Sequence, residues 1–285
     1  MRKLAILLAL GCAALTGFGA SSRALFIEGE APNGTDSKLQ TLALRAIFEA
    51  GGLFQVDVAA AKAGEEPPFD KYKVVIMNYG GDAWPMSTLD ALDRYVKNGG
   101  GLVLLAGAGS AFPKWREFDL MLGVSAASNR DQSAGPLWFY KEGNVAFDSE
   151  AKVPVQALPP DKPILITIRD TEHPVTKGLP LEWMHVPDEL AGNLRGPGKN
   201  MILLATAYSD ASNGGTGRNE PQMVAVTYGK GRVFHSILGR TRPALECAGL
   251  QTMLQRGAEW TATGRVTQRL PSDFPNEEKV SRRLK

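Results

Sequence analysis

Carboxylates and imidazoles set close together are where proton transfer or metal binding would begin. The densest such group here is His173-Pro-Val-Thr-Lys-Gly-Leu-Pro, followed by Trp183-Met-His185-Val-Pro-Asp188-Glu189-Leu. Two of the three histidines and an adjacent pair of acids fall within one proline-rich stretch. A carboxylate positioned beside a substrate is a competent general base, so Asp188 and Glu189 are the expected catalytic groups. His173 and His185 are expected as substrate contacts. His185 three residues before Asp188 also has a metal-ligand spacing. That spacing alone carries little weight, and the expectation is no metal and no cofactor. Each residue has a plainer role beside the chemical one: His173 bonding backbone, Asp188 capping a turn, Glu189 solvated.

Other reactive residue types are less well supported. Cys247, in Leu-Glu-Cys-Ala-Gly, falls inside a helix expected over 245–262, with no base in sight, and is read as non-catalytic. Ser110 in Gly-Ala-Gly-Ser-Ala lacks the glycine spacing of a nucleophile elbow. Gly214-Gly-Thr-Gly-Arg-Asn-Glu-Pro is glycine-rich without a phosphate-binding lysine. In Tyr228-Gly-Lys-Gly-Arg-Val-Phe-His-Ser-Ile-Leu-Gly-Arg240 the glycines suit a tight hairpin. His235 shares a strand face with Val233 and Ile237, the setting of a core histidine. Arg240, at the strand's end, can reach a site.

The elements that must position these groups alternate. Strands are expected at Ala24-Leu-Phe-Ile-Glu-Gly, Phe54-Gln-Val-Asp-Val, Lys73-Val-Val-Ile-Met-Asn-Tyr and Leu102-Val-Leu-Leu-Ala. Helices are expected over 38–50, 87–97 and up to Leu122. The continuous apolar runs suit strands buried on both faces of a parallel sheet. A hairpin is expected around Trp138-Phe-Tyr and Val145-Ala-Phe, and further strands at Ile164-Leu-Ile-Thr-Ile and Asn200-Met-Ile-Leu-Leu-Ala. The expected fold is therefore α/β, an open, mostly parallel sheet with helices on both faces and a C-terminal β-hairpin. Ligands in such sheets bind beyond the carboxyl ends of the strands. The loops leaving those ends offer Glu28, Glu30 and Asn33, then Asn78, Asp82 and Trp84, then Ser110 and Trp115.

The chain has 285 residues, 32 basic and 30 acidic, with two cysteines. Met1-Arg-Lys followed by an acid-free apolar stretch from Leu4 to Gly19 has the form of a secretory signal peptide ending at Ser22. Acylation at Cys12 is the competing alternative. Domain organisation is then a leader over 1–22, one domain over 23–265 and a tail over 266–285. Loss of Arg2 and Lys3 balances basic against acidic residues and leaves no cluster suited to a nucleic acid or an anionic membrane. Cys247 alone remains, which excludes an internal disulfide and a cysteine metal cluster.

The motifs HPVTKGLP, WMHVPDEL, LRGP, ILLATAYSD, GRNEP, YGKGRVFHSILG and RGAEWTATG together resemble the ThuA-like, trehalose-utilisation family. The resemblance runs from about Ala24 to Pro275 and is densest after His173. It implies a flavodoxin-like fold similar to class I glutamine amidotransferases without their cysteine nucleophile. It also implies a role in using trehalose or related, including oxidised, sugars. Positions that depart from the family pattern include Ala106 for a histidine, Ala191 for the tyrosine of DELY, and Arg240 for the histidine of LGH. Gly109 likewise replaces the acid of VVHAAD. The implied partner is a small sugar or sugar derivative, contacted by Asp82, His173, His185 and Arg240, with Trp84, Trp115 or Trp183 as a stacking surface. A non-catalytic interaction or sensor protein on the same scaffold is the alternative. The exported chain is expected to start near Arg23. N-terminal sequencing of secreted material checks this, and an intact Met1 or an acylated Cys12 would contradict it.

Overall fold

The computed structural model describes residues 21–29, 37–60, 66–81 and 83–283. Nearly all of the expected leader, together with Glu30, Asn33 and Asp82, lies outside the described residues.

The first half is built from β1 (Ser22–Glu28), α1 (Ser37–Ala50), β2 (Phe54–Ala60), β3 (Val74–Asn78), α2 (Met86–Lys97), β4 (Gly101–Leu104) and α3 (Arg116–Leu122). The second half adds β5 (Leu137–Lys141), β6 (Asn144–Asp148), β7 (Gln156–Leu158), β8 (Ile164–Ile168), β9 (Glu182–His185) and β10 (Leu190–Gly192). It closes with β11 (Met201–Ser209), β12 (Arg218–Tyr228), β13 (Gly231–Ser236) and α4 (Ala248–Thr263). The main sheet runs β2-β1-β3-β4-β13-β12-β11-β8-β9. Its β2-β1-β3-β4-β13 half is parallel and the remainder antiparallel. The expected α/β architecture is present, and β13 is its pivot: it pairs parallel with β4 on one side and antiparallel with β12 on the other. The hairpin β5–β6 hangs from β12, and β7 pairs with β10 in a separate ribbon.

Period-two alternation divides the apolar residues between two cores. In β1, Ala24 and Phe26 face α1 and α4, while Leu25 and Ile27 face α2 and α3. In β3, Val74 and Ile76 face the first pair, Val75 and Met77 the second. Both faces of these strands are covered, which is why their sequence is apolar without a break. Helix α4 is buried along almost its whole length. The sheet covers one side, and the chain after Gly264 covers another through Val266, Phe274 and Val280. The tail is fastened as far as Arg283: Ala248 N donates to Ser281 O at 3.0 Å, and Arg283 pairs with Asp273. Arg256 ties this layer together by donating to the carbonyls of Val175, Pro174, Lys177 and Gln268.

The β12–β13 turn shows why its two glycines are there. Gly229 takes φ 59°, a conformation costly for other residues. Gly231 is needed for space: a Cβ there would stand 2.1 Å from Val96 O. Gly231→Ala is therefore expected to lower unfolding free energy by about 2–3 kcal/mol, the scale of overpacking. Lys230→Ala, on the exposed side of the turn, should stay within about 0.5 kcal/mol. Urea unfolding of the two variants checks the difference.

Candidate functional site

The segment after β9 is shaped by one buried carboxylate. Asp188 Oδ2 accepts from Gly239 N at 2.7 Å and Arg240 N at 3.4 Å, and Oδ1 from Thr241 N at 3.2 Å and Glu189 N at 2.9 Å. Three consecutive backbone N–H groups after β13 thus form a concave anion-binding nest, with the aspartate as its internal anion. Gly239 makes that turn possible with φ 89°. The nest fixes the residue between its flanking glycine and threonine, which is Arg240. The Arg240 guanidinium in turn donates from Nε to Glu189 Oε2 at 2.9 Å, both side chains about four-fifths buried. Asp188 and Glu189 therefore differ in role: the first holds backbone, the second holds a cation.

Behind Asp188 lies His185, fully buried, with Nε2 at 3.3 Å from Asp188 Oδ2. Its Nδ1 has no conventional hydrogen-bond partner, and Cys247 is the polar neighbour acting on that ring. Burial alone would push the imidazole down; the Cys247 charge, with Asp188, overrides this and holds it up at about 9. Burial would likewise raise the Cys247 thiol, but His185 and the backbone N–H groups of Leu250 and Val186 bring it below its ordinary value. The helix expected over 245–262 accordingly needs correction. A short 3-10 turn occupies 243–246, Cys247 is the N-cap, and α4 starts at Ala248. Cys247 therefore does have a basic neighbour. It is nonetheless fully buried and bridged to Arg282 of the tail, so no substrate reaches it.

Arg240 lines a cavity of about 330 Å³ beyond the carboxyl ends of β4 and β13. Ala106, Gly107 and Ser110 form one wall, residues 126–128 another, and Gln156 of β7 closes the top. Asn78 Oδ1 fixes the first wall by accepting from Gly107 N at 3.2 Å. His235 forms part of the floor. Its Nδ1 is 3.1 Å from Leu122 O, and burial drives its pKa down to about 4, so it is neutral. Among the described residues, no cluster of three or more histidines, cysteines or acids could hold a metal ion.

The remaining candidates lie apart from this cavity. Trp84 is buried among Phe69, Tyr79 and Phe112, and Trp115 stacks on Phe118. Trp183 is buried beneath α4, where a Cβ at Gly249 would stand 2.6 Å from its ring. His173 packs its ring edge on Trp260 at 4.6 Å and accepts from Val175 N at 3.3 Å; burial lowers its pKa. Sequence reasoning did not single out Gln156 or the Cys247–His185 contact. No local signal marks the latter, because the apolar period of α4 continues unbroken through Leu245.

A family model described as "Trehalose utilisation", ThuA, matches residues 23–261. The chain belongs to the ThuA family. Among solved structures, a ThuA-like protein from Parabacteroides merdae is 38% identical with a TM-score of 0.86, covering 92% of this chain and 98% of that one. A ThuA-like protein from Bacteroides uniformis, 18% identical with a TM-score of 0.59, shares the fold over 90% of this chain and 97% of its own. So does part of the β-galactosidase from Bacillus circulans sp. alkalophilus, at 13% identity and a TM-score of 0.53, covering 89% of this chain and 33% of the enzyme. No curated protein matches. Of the four positions where this ThuA-family chain departs from the expected pattern, Ala106, Gly109 and Arg240 line the cavity. Ala191 is buried in β10.

The two core histidines should titrate oppositely. His185, held up at about 9, contributes stability that is complete below its unfolded value of about 6.5 and is lost as pH rises through about 9. His235, held down at about 4, takes up a proton only after unfolding, so stability falls as pH drops from about 6.5 towards 4. Imidazole NMR at pH 7 should find His185 charged and His235 neutral. Cys247→Ser should lower the His185 value.

Proposed function

We propose that this ThuA-family protein binds a sugar or oxidised sugar derivative in the cavity at the carboxyl ends of β4 and β13. The observation carrying this reading is Arg240, which lines the cavity and is held by its ion pair with Glu189. A guanidinium donates in a fixed planar fork and suits hydroxyl and carboxylate oxygens. Ser110 and Gln156 add neutral polar groups at the same cavity. Where the protein processes its ligand, Glu189 is the available general base, since Asp188 is fully engaged with backbone. Export through a leader ending at Ser22 belongs to the same reading, as does a role in carbohydrate use outside the cytoplasm.

One observation favours a second reading, a binding or sensor protein without catalysis. Ala106 and Arg240 stand at cavity positions where the family pattern has imidazoles, and His235 is held neutral beneath the floor. An arginine does not exchange its proton near neutral pH.

A thermal-shift screen of neutral sugars and sugar acids on mature protein tests both readings, because a ligand specific to the native state raises Tm by mass action. Arg240→Ala is expected to weaken the best sugar ligand by roughly ten- to hundredfold, the loss of a charge-assisted hydrogen bond, while Tm in its absence changes little. Unchanged affinity in Arg240→Ala would remove the sugar from this cavity. Turnover of the bound ligand, abolished in Glu189→Gln, would favour the enzyme over the sensor.

A further inference from the structure

A second, larger cavity of about 560 Å³ opens over the antiparallel half of the sheet. The β7–β10 ribbon separates it from the first: Gln156 and Ala157 face the smaller cavity, Leu158 and Leu190 the larger. We propose that this larger cavity is a binding site for a neutral, polyhydroxylated ligand of mono- to disaccharide size, separate from the Arg240 site.

Arg169 is the first observation. It follows β8, and its guanidinium lies 4.1 Å over the Tyr140 ring. Nε donates to Thr206 Oγ1 at 2.8 Å and Nη2 to Asn219 Oδ1 at 3.1 Å. Among the described residues, no carboxylate comes within ion-pair distance of it. The Glu182 charge acts on it from beyond that distance and Tyr140 adds a side-chain contact, so the guanidinium is oriented without a direct ion pair, and its remaining donor capacity serves oxygen acceptors in the cavity.

The acceptor side is the second observation. Glu182 lines the same cavity, half-buried, oriented by Thr167 Oγ1 at 3.1 Å. Asp161, Asp188 and Asp210 bring the lining to four acids against Lys162 and Arg169. Asp188 is engaged by backbone, and Asp210 by Ser212 and Asn213. Their charge still makes the cavity acidic on balance, which disfavours an anion, while Arg169 in the wall disfavours a cation. An apolar ligand would leave the remaining donors of Arg169 and acceptors of Glu182 buried without partners, at a cost. Hydroxyl groups, which both donate and accept, satisfy the two together.

The third observation is the apolar surface. Tyr208 is 56% exposed and Leu165 39% exposed, and both line this cavity. An exposed ring beside oriented polar groups is the arrangement that receives the apolar face of a sugar ring.

The test is an amide-resolved NMR titration of the mature chain with trehalose and with maltose, glucuronate serving as the anionic comparison. The expected result is binding of a neutral disaccharide that shifts Thr167, Arg169 and Tyr208. Tyr208→Ala, at an exposed position, and the isosteric Glu182→Gln should each weaken it by about tenfold or more. The affinity read from the shifts of Thr167, Arg169 and Tyr208 alone should be the same in Arg240→Ala, whatever that variant does to binding in the smaller cavity. Absence of binding by either disaccharide at about 10 mM, the weak end of small-ligand affinity, would overturn the proposal. So would tighter binding of glucuronate. Binding lost in Arg240→Ala but intact in Tyr208→Ala would also overturn it, and would move the sugar to the smaller cavity.

Discussion

The carboxylate of Asp188 inside the backbone nest of residues 239–241 is the constraint on which the rest of the site depends. A buried charge is tolerable only with its hydrogen-bond complement filled, and here backbone N–H groups from two distant segments fill it. One is its own neighbour, Glu189; the others follow β13, about fifty residues on. That single group joins the end of the sheet's pivot strand to the connection between β9 and β10. It thereby determines where Arg240 can point and where Glu189 meets it. It also anchors Leu190, the first residue of the ribbon dividing the two cavities.

The charges behind Asp188 follow from the same burial. An isolated histidine at the depth of His185 would be neutral, as His235 is. His185 is held up because Cys247 and Asp188 face it, and the Cys247 thiol is held below its ordinary value by that imidazole and two backbone N–H groups. Such an arrangement elsewhere would activate a nucleophile. Here the tail closes over it through the Cys247–Arg282 bridge and the Ala248–Ser281 hydrogen bond. The trio is accordingly an internal brace between α4, β9 and the nest, and its reactivity is confined by packing.

The parallel half of the fold was legible because its signals are local. Val74 to Met77 reads as a doubly covered strand from four consecutive apolar residues, and the turn at Gly229 follows from its glycines. The closeness of Arg240 to Glu189 was also suggested by sequence, through the motifs that carry both. What escaped reading depends on contacts between distant segments. Cys247 leaves the helix because Ser281 and Arg282 pair beside it, and nothing in Leu-Glu-Cys-Ala-Gly encodes that partner. His173 packs against Trp260 of α4, across 87 positions of chain. The larger cavity arises where β7 and β10 pair apart from the main sheet, a pairing only three residues long and too short for a sequence period to mark.

In the proposed reading, the pairing of Arg240 with Glu189 bears on what kind of ligand the smaller cavity would hold. The guanidinium is already charge-compensated, so a carboxylate ligand must displace or share it with Glu189, and the net electrostatic gain from that exchange is small. A hydroxyl ligand meets no such competition, since it accepts from the guanidinium while donating to Glu189. On that reading, selection between sugars and sugar acids would fall to the neutral groups of the cavity, Ser110 and Gln156, and to the shape of the glycine-rich wall at 106–110. In the proposed reading, proton transfer falls to Glu189, which Arg240 Nε holds by a hydrogen bond of 2.9 Å. On that reading binding comes first, and any catalysis would require the ligand itself to draw Arg240 away from the acid.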